Sequence, residues 1–365
     1  MKKYRAVLVG TGGIADAHVN AVNYTQGRVE LVAACDIDAT RAEAFRAKFN
    51  LAKAHTDYAT MLREDKPDIV LVAAPPGLHA AMSIAAMEAG AWVLCEKPLC
   101  ASLAEFDQIE AAEQRTGKRT SCVFQMRFAS SNTHVRDLLQ SGRFGRPLVA
   151  VCNTLWYRDV PYYSVPWRGK WKTELGGPTM SQGIHTMDHL LHLLGDWTEV
   201  KAVAETLYHE IEVEDVSMAL VKFANGARAS IVNSTLCPRQ ETYLRLDCEH
   251  ATVELTHLYA YKRENWKMTP ATPEVGAKLQ PAWDAFPDDV GSIHGAQLLA
   301  MVNDMDTGTV PLTSGPEARR TLEFLAALYK SAFTNTTVTR GSIKPGDPFY
   351  AVMHGNMSPK REKKL

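Results

Sequence analysis

Residues 5 to 15 read Arg-Ala-Val-Leu-Val-Gly-Thr-Gly-Gly-Ile-Ala. A short apolar run ends in glycines and is followed by a helical pattern over residues 14 to 23, which makes a strand, a turn and a helix start. The turn fits G-x-G-x-x-G/A. Gly10 allows the tight turn, Gly12 lets the backbone approach a pyrophosphate, and Ala15 lets helix and strand pack closely. Gly13 and Ile14 complete the loop, with the helix N-terminus facing the phosphates. The acidic residue expected about 20 positions further on is Asp36, in Ala34-Cys35-Asp36-Ile37-Asp38. A carboxylate there accepts both ribose hydroxyls of NAD and repels the 2'-phosphate of NADP. With no Arg or Ser read as following it, NAD is the expected cofactor and NADP the less favoured one.

Outward from this start the alternation continues. Strand-like runs at 30–36, 68–74, 92–95 and 120–124 alternate with helical patterns at 39–49, 79–89 and 102–116. Strands alternating with helices of this length imply right-handed crossovers and a parallel sheet covered on both faces. Beyond residue 125 and a helix at 131–140, the pattern changes to longer strand-like runs: 148–155, 200–208, 216–223, 227–234, 243–248 and 252–255, with a hairpin turn at Ala224-Asn225-Gly226. A helix at about 180–194 and two late helices, 295–305 and 316–333, accompany them. The expected class is α/β. An N-terminal Rossmann dinucleotide-binding domain spans 1–125, and a C-terminal α+β domain with a mostly antiparallel open sheet, for substrate binding and oligomerisation, spans 126–350. The Lys/Arg-rich tail 357–365 is expected to be disordered.

The composition narrows the function classes. With 46% hydrophobic and 22% charged residues and a net charge of -1, the chain is globular and lacks the broad basic field that nucleic acid or an anionic membrane surface would need. No apolar run approaches the roughly 18 to 20 residues of a membrane span. The strand pattern begins almost at the first residue, leaving no room for a signal peptide. Seven cysteines without a Cys-x-x-Cys pair suit reduced thiols, and a cytoplasmic location is expected.

Further motifs sit where strands end, the edge at which open α/β sheets bind ligands. Ala73-Ala74-Pro75-Pro76-Gly77-Leu78-His79 follows the third strand; Pro75 and Pro76 stiffen the loop against the cofactor, and His79 opens a helix. Cys95-Glu96-Lys97-Pro98 follows the next strand. Lysine is almost never buried unpaired, so Lys97 in this place reads as functional. Gln125-Met126-Arg127-Phe128 lies where the chain leaves the nucleotide domain, making Gln125 a candidate cofactor contact and Arg127 a candidate substrate contact. His185, Asp188, His189 and His192 share one helix flank, but four ligands on one straight helix cannot converge on a tetrahedral centre, because the ends of the set are about 10 Å apart. No metal is expected. Trp156-Tyr157-Arg158-Asp159-Val160-Pro161-Tyr162-Tyr163 and Trp167-Arg168-Gly169-Lys170-Trp171 concentrate aromatics and cations in a chain that is 8% aromatic. Aromatic faces stack on sugar C–H faces and Arg bonds to vicinal hydroxyls, which marks Tyr157 and Arg158 as substrate contacts; a structural cluster or a subunit interface is the competing reading.

With Gly10 to Ala15, Asp36, Pro75-Pro76 to His79, Glu96-Lys97-Pro98, Gly176-Gly177 leading to Gly183-Ile184-His185-x-x-Asp188, and a Pro316 to Ser331 segment like the last helix, the chain resembles the glucose-fructose oxidoreductase/inositol dehydrogenase/MocA (Gfo/Idh/MocA) family over essentially its whole length. The resemblance implies NAD(P)-dependent oxidation of a secondary hydroxyl of a sugar, cyclitol or glycoside, or the reverse reduction. Carried over by position, Lys97 hydrogen-bonds the reacting hydroxyl and His185 takes or returns its proton, with Glu96 and Lys97 also beside the cofactor. An ammonium stabilises developing alkoxide character, and imidazole titrates near neutrality. Trp167 and Arg168 would reach the nicotinamide end of the cofactor. Inositol dehydrogenase-like members carry an aspartate four residues before the histidine; here Ser181 stands in that place, leaving Asp188 to orient His185, and Ser181 to bond substrate or His185. The bond before Pro98 is expected to be cis, as in family members. The resemblance also implies a homodimer or homotetramer formed through the C-terminal sheet. Two rival functions stay open: an NAD-recycling glycosidase that oxidises transiently and eliminates the aglycone, and a non-catalytic sugar or nucleotide sensor.

Overall fold

The computed structural model describes residues 2–286 and 288–361, and the chain divides into two compact units: residues 1–123 with 293–319, and 124–292 with 320–365. Residues 293–319, which the sequence pattern places in the second domain, therefore belong to the first unit.

The first unit is a six-stranded sheet in the order β3-β2-β1-β4-β5-β6, with β1 (Tyr4–Val9), β2 (Val29–Cys35), β3 (Lys53–His55), β4 (Ile69–Val72), β5 (Trp92–Cys95) and β6 (Thr120–Cys122) all parallel. The central strand β4 is apolar throughout because both faces of the sheet are covered: every residue of β4 is buried, and Leu8, Leu71 and Leu94 are fully enclosed. The helices are α1 (Ala15–Tyr24), α2 (Ala39–Phe49), α3 (Tyr58–Asp65), α4 (His79–Glu88) and α5 (Leu103–Thr116). Asp38, Asp57 and Ser102 cap α2, α3 and α5 through side-chain oxygens that accept amide hydrogens of the first turn. β3 and α3 escaped the sequence reading. The helix His294–Thr307 puts Leu298, Met301 and Val302 into the same core as Val19 and Val22 of α1. Gly295 is required for that approach, since a Cβ there would fall 2.6 Å from Cβ of Tyr24.

The second unit is built on a nine-stranded sheet: β7 (Pro147–Tyr157), β8 (Trp197–Thr206), β9 (Val216–Phe223), β10 (Arg228–Ser234), β11 (Leu236–Cys248), β12 (Ala251–Thr256), β13 (Trp266–Pro270), β14 (Val338–Thr339) and β15 (Lys360–Arg361). Eight of them run β13-β12-β11-β7-β10-β9-β8-β14, and β15 joins β8. Pairing is antiparallel except for β10 with β7 and β15 with β8, as the mostly antiparallel expectation required. Lys360 and Arg361 thus have a place in the sheet, whereas the remainder of the basic tail, 362–365, lies outside the described residues. One face of the sheet is covered by the helix Gly183–Leu194, every residue of which is buried. The expected single helix from 180 is instead two pieces, Pro178–Ser181 and Gly183–Leu194, interrupted at Gln182. Gly183 must be glycine, because a Cβ would sit 2.1 Å from Oδ1 of Asn233 on β10. No helix among the described residues is long and apolar enough to cross a membrane.

Candidate active site

In the first unit the groups of interest gather at the carboxyl end of the parallel strands. Gly10 has φ +91°, and a Cβ there would lie 2.5 Å from the Ala73 carbonyl, so only glycine lets the β1 turn pass the end of β4. At Gly12 and Gly13 the reverse holds: a Cβ would meet no heavy atom within 4 Å. The loop backbone is open on the side where a pyrophosphate would lie, with Ile14 at the start of α1. Asp36 completes the cradle. Its Oδ2 accepts from the Thr11 amide (3.0 Å) and hydroxyl (2.9 Å), and its Oδ1 from the Asp38 amide (3.0 Å) and the Arg41 guanidinium (2.7 Å). Burial alone would raise its pKa, but Arg41 and these amides hold it down to about 2, so it is a carboxylate at any physiological pH. These residues fit a dinucleotide. Arg41, five residues after Asp36, is the neighbour that the sequence reading passed over.

Pro75 and Pro76 form the short turn before α4, and His79 begins that helix fully buried. Its Nδ1 lies 2.7 Å from the Pro98 carbonyl and its Nε2 2.8 Å from the Ala74 carbonyl, so the ring braces two loops. The Lys97–Pro98 bond is cis, as expected. Glu96 is buried, and its Oε1 accepts from Nε2 of His18 (3.1 Å) and of His294 (3.0 Å).

In the second unit the helix Gly183–Leu194 turns its polar side chains to separate partners. Asp188 takes a two-point ion pair from Arg127 (2.8 and 2.6 Å) and a third hydrogen bond from Thr321 (2.7 Å). Asp188 thus forms a buried pair with Arg127, which is only 1% exposed, and a pair 61 positions apart leaves no local signal in the sequence. His189 faces Oδ1 of Asn132 (2.5 Å) and stacks on Tyr261. His185, 7% exposed, packs edge-on to Tyr259 at 6.0 Å between ring centroids, and the Tyr259 hydroxyl accepts from Nε2 of Gln125 (2.5 Å). Tyr259 thus links Gln125 to the His185 ring.

Ser181 ends the short helix before the break. Its hydroxyl lies on the Gly177 carbonyl (2.8 Å) and on Oε1 of Gln182 (2.5 Å). Nε2 of Gln182 donates to the Tyr162 hydroxyl (3.1 Å), which also accepts from Arg168. Arg168 stacks on Tyr162 (3.9 Å) and Trp167 (4.3 Å) and pairs with Glu174 (3.0 Å). Arg158 stacks on Trp156 and Tyr162 beside the exposed Tyr157. The aromatic stretch and Ser181 are therefore one network, linked by Tyr162 and Gln182.

Among the described residues, the group whose ligand atoms lie close enough to share a metal ion is His18, Glu96 and His294, within 4.8 Å of one another. None of the three comes from the His185 helix.

Comparison with known proteins agrees with the fold of both units. Residues 4–124 match the model of the oxidoreductase family with NAD-binding Rossmann fold, and residues 132–254 the GFO/IDH/MocA C-terminal domain. The chain is 26% identical to D-apiose dehydrogenase of Paraburkholderia graminis, covering 95% of this chain and 92% of the relative. It is 27% identical to D-glucoside 3-dehydrogenase of Escherichia coli, covering 92% and 97%. Among solved structures, the WlbA dehydrogenase of Chromobacterium violaceum in complex with NADH and UDP-GlcNAcA superposes with a TM-score of 0.83 at 29% identity, over 94% of this chain and 98% of that one. A Rossmann unit with its Glu-Lys-Pro edge, followed by an open mostly antiparallel sheet, places the chain in the Gfo/Idh/MocA family of NAD-binding oxidoreductases.

Proposed function

We propose that the protein is an NAD-dependent dehydrogenase acting on a secondary hydroxyl of a sugar, cyclitol or glycoside, with Lys97 and His185 as its acid/base groups. The observation that carries this reading is that one strand edge holds both the open Gly12–Gly13 loop above Asp36 and the anchored tripeptide containing Lys97. When bound, NAD supplies the hydride acceptor. The Lys97 ammonium hydrogen-bonds the reacting oxygen and stabilises its developing negative charge. His185 accepts the proton as the carbinol becomes a carbonyl, and returns it in the reverse direction. Tyr259, bonded to Gln125, packs against the His185 ring, and the Ser181–Gln182–Tyr162–Arg168 network presents polar and aromatic groups suited to a polyol. Both full-length relatives described above carry sugar-derivative dehydrogenase names, which supports the substrate class.

The same reading includes a homo-oligomer. Val203, Met218 and Leu220 are exposed on β8 and β9, with Val203 and Met218 directly paired, so an apolar strip faces outward on the open sheet. Seven cysteines, none of them in a disulfide among the described residues, accord with a cytoplasmic location. The test is a screen of free sugars, inositols and glycosides for NADH absorbance. Lys97→Ala and His185→Ala should each lose about 10²- to 10⁴-fold in kcat. Full activity of Lys97→Ala would refute the reading, and exchange of substrate ring hydrogen without net NADH would reassign the protein as an NAD-recycling glycosidase.

A further inference from the structure

Lys97 stands between two neighbours whose polar groups are anchored. Before it, the buried Glu96 carboxylate is gripped through a single oxygen by Nε2 of His18 (3.1 Å) and Nε2 of His294 (3.0 Å), the two rings meeting edge to face at 5.3 Å. After it, the Pro98 carbonyl lies 2.7 Å from Nδ1 of His79. The three histidines come from three helices, α1, α4 and His294–Thr307, and all are buried within the first unit.

Two uses of the His18–Glu96–His294 cluster make opposite demands on the imidazoles. A metal-bound Nε2 is unprotonated, so a neutral ring carries its proton on Nδ1, and ligating histidines almost always hand that proton to an acceptor. His18 Nδ1 is buried with no hydrogen-bond partner. If Nε2–H instead donates to Glu96, Nδ1 is a bare lone pair, and no N–H is left unpaired in the interior. The state of Glu96 agrees: burial would raise its pKa, yet the bonds from His18 and His294 hold it well below the usual carboxylate range.

We infer that His18 and His294 are positioning residues for Lys97: as twin Nε2–H donors they clamp the Glu96 carboxylate and so fix the backbone that carries the lysine at the end of β5, opposite the His79 brace on Pro98. His18 also lies on α1, the helix that opens from the Gly12–Ala15 loop, so the clamp ties the nucleotide loop to the lysine through one side chain. The inference rests on the reading of Lys97 given under the proposed function.

The test uses the full chain and a substrate found in the screen. His18→Leu and His294→Leu remove the donors; His18→Gln and His294→Gln keep an amide N–H near the position of Nε2. The leucine variants should lose about 10- to 100-fold in kcat, the cost of a misplaced catalytic group. KM for NAD should stay within about threefold, and the glutamine variants should recover most of kcat. Thermal melting identifies any variant that does not fold. Should both leucine variants fail in this way, Glu96→Gln, which weakens both bonds without changing shape, must lower kcat while His294→Gln does not. Leucine variants with full kcat, or glutamine variants as slow as the leucine ones, overturn the inference. So does zinc held stoichiometrically after dialysis against zinc chloride and lost in His294→Gln, because a ligated Nε2 cannot donate. Lys97→Ala, run alongside, separates the two levels. If it is active, the reading of the reaction fails; if it is inactive while the leucine variants keep kcat, the clamp alone fails.

Discussion

Arg127 and Asp188 form a two-point ion pair with 1% and 0% of their surfaces exposed. The pair joins the first turn of the second unit to the helix that carries His185, and Thr321 supplies the third hydrogen bond to the carboxylate. Breaking such a pair from one side leaves a buried charge without a partner, which costs about 3–5 kcal/mol, whereas replacing both partners with apolar side chains of similar size is often neutral. Arg127→Met alone should therefore be destabilised by that amount in urea unfolding. The double variant Arg127→Met/Asp188→Leu should recover most of it. Equal stability of Arg127→Met and the parent protein would show that the pair contributes nothing.

On the reading of Asp36 as the ribose-binding carboxylate, Asp36 and Arg41 together set the cofactor preference. With Asp36 ionised and Arg41 drawn onto it at 2.7 Å, the ribose end of the cradle offers a carboxylate for hydroxyls and withholds its guanidinium. Removing the carboxylate frees Arg41, and a guanidinium is well suited to a 2'-phosphate. Asp36→Ala should raise the NADP-to-NAD ratio of kcat/KM by about tenfold or more, equivalent to about 1.4 kcal/mol. In Asp36→Ala/Arg41→Ala most of that gain should disappear. An unchanged ratio in the single variant would refute the assigned role of Asp36.

The legible parts of this chain are those whose signal is local. β1, the glycine turn and α1 could be read because a parallel strand buried on both faces is a continuous apolar run, and a dinucleotide turn allows few residue types. β3 with α3 was missed because three residues of mixed polarity carry no period. The helix Pro273–Asp284 was missed because Pro281 lies inside it. The proposed acid/base groups, Lys97 and His185, rest on motifs that are local in the sequence. His294 was missed, since its partner Glu96 lies 198 positions earlier and nothing near His294 announces the pairing. The break at Gln182 was hidden for a similar reason: it sits beside the close approach of Gly183 to Asn233, a contact made only in the folded sheet.

The apolar strip on the open sheet gives a second measurable consequence. Leu220 is 67% exposed and flanked on its face by Met218 and Val203. If that strip is the subunit interface, Leu220→Glu should place unpaired charges between the subunits, each costing several kcal/mol on burial. Size-exclusion chromatography with light scattering should then show a shift towards monomer, with the melting temperature of the dilute protein lowered. Unchanged mass for Leu220→Glu/Met218→Glu would move the interface elsewhere or remove it.

His189 and His192 give the protein an acid limb. Burial, with the Arg127 charge adding to it, pushes His189 down to about 3 and His192 down to about 2, from 6.5 when unfolded. Both folded values lie below the unfolded one, so the contribution of these neutral rings is fully present above pH 6.5. It is lost as the pH falls, because the unfolded chain takes up protons that the native state refuses. Each ring contributes a slope of about 1.4 kcal/mol per pH unit below 6.5. His192 Nδ1 is buried without a hydrogen-bond partner, so His192→Leu should cost less than about 1.5 kcal/mol at neutral pH. Urea unfolding between about pH 6.5 and pH 4.5 should show the slope of His192→Leu reduced by roughly one ring's share. A variant whose stability falls with pH as steeply as that of the parent protein would mean that His192 is already protonated in the native state over this range.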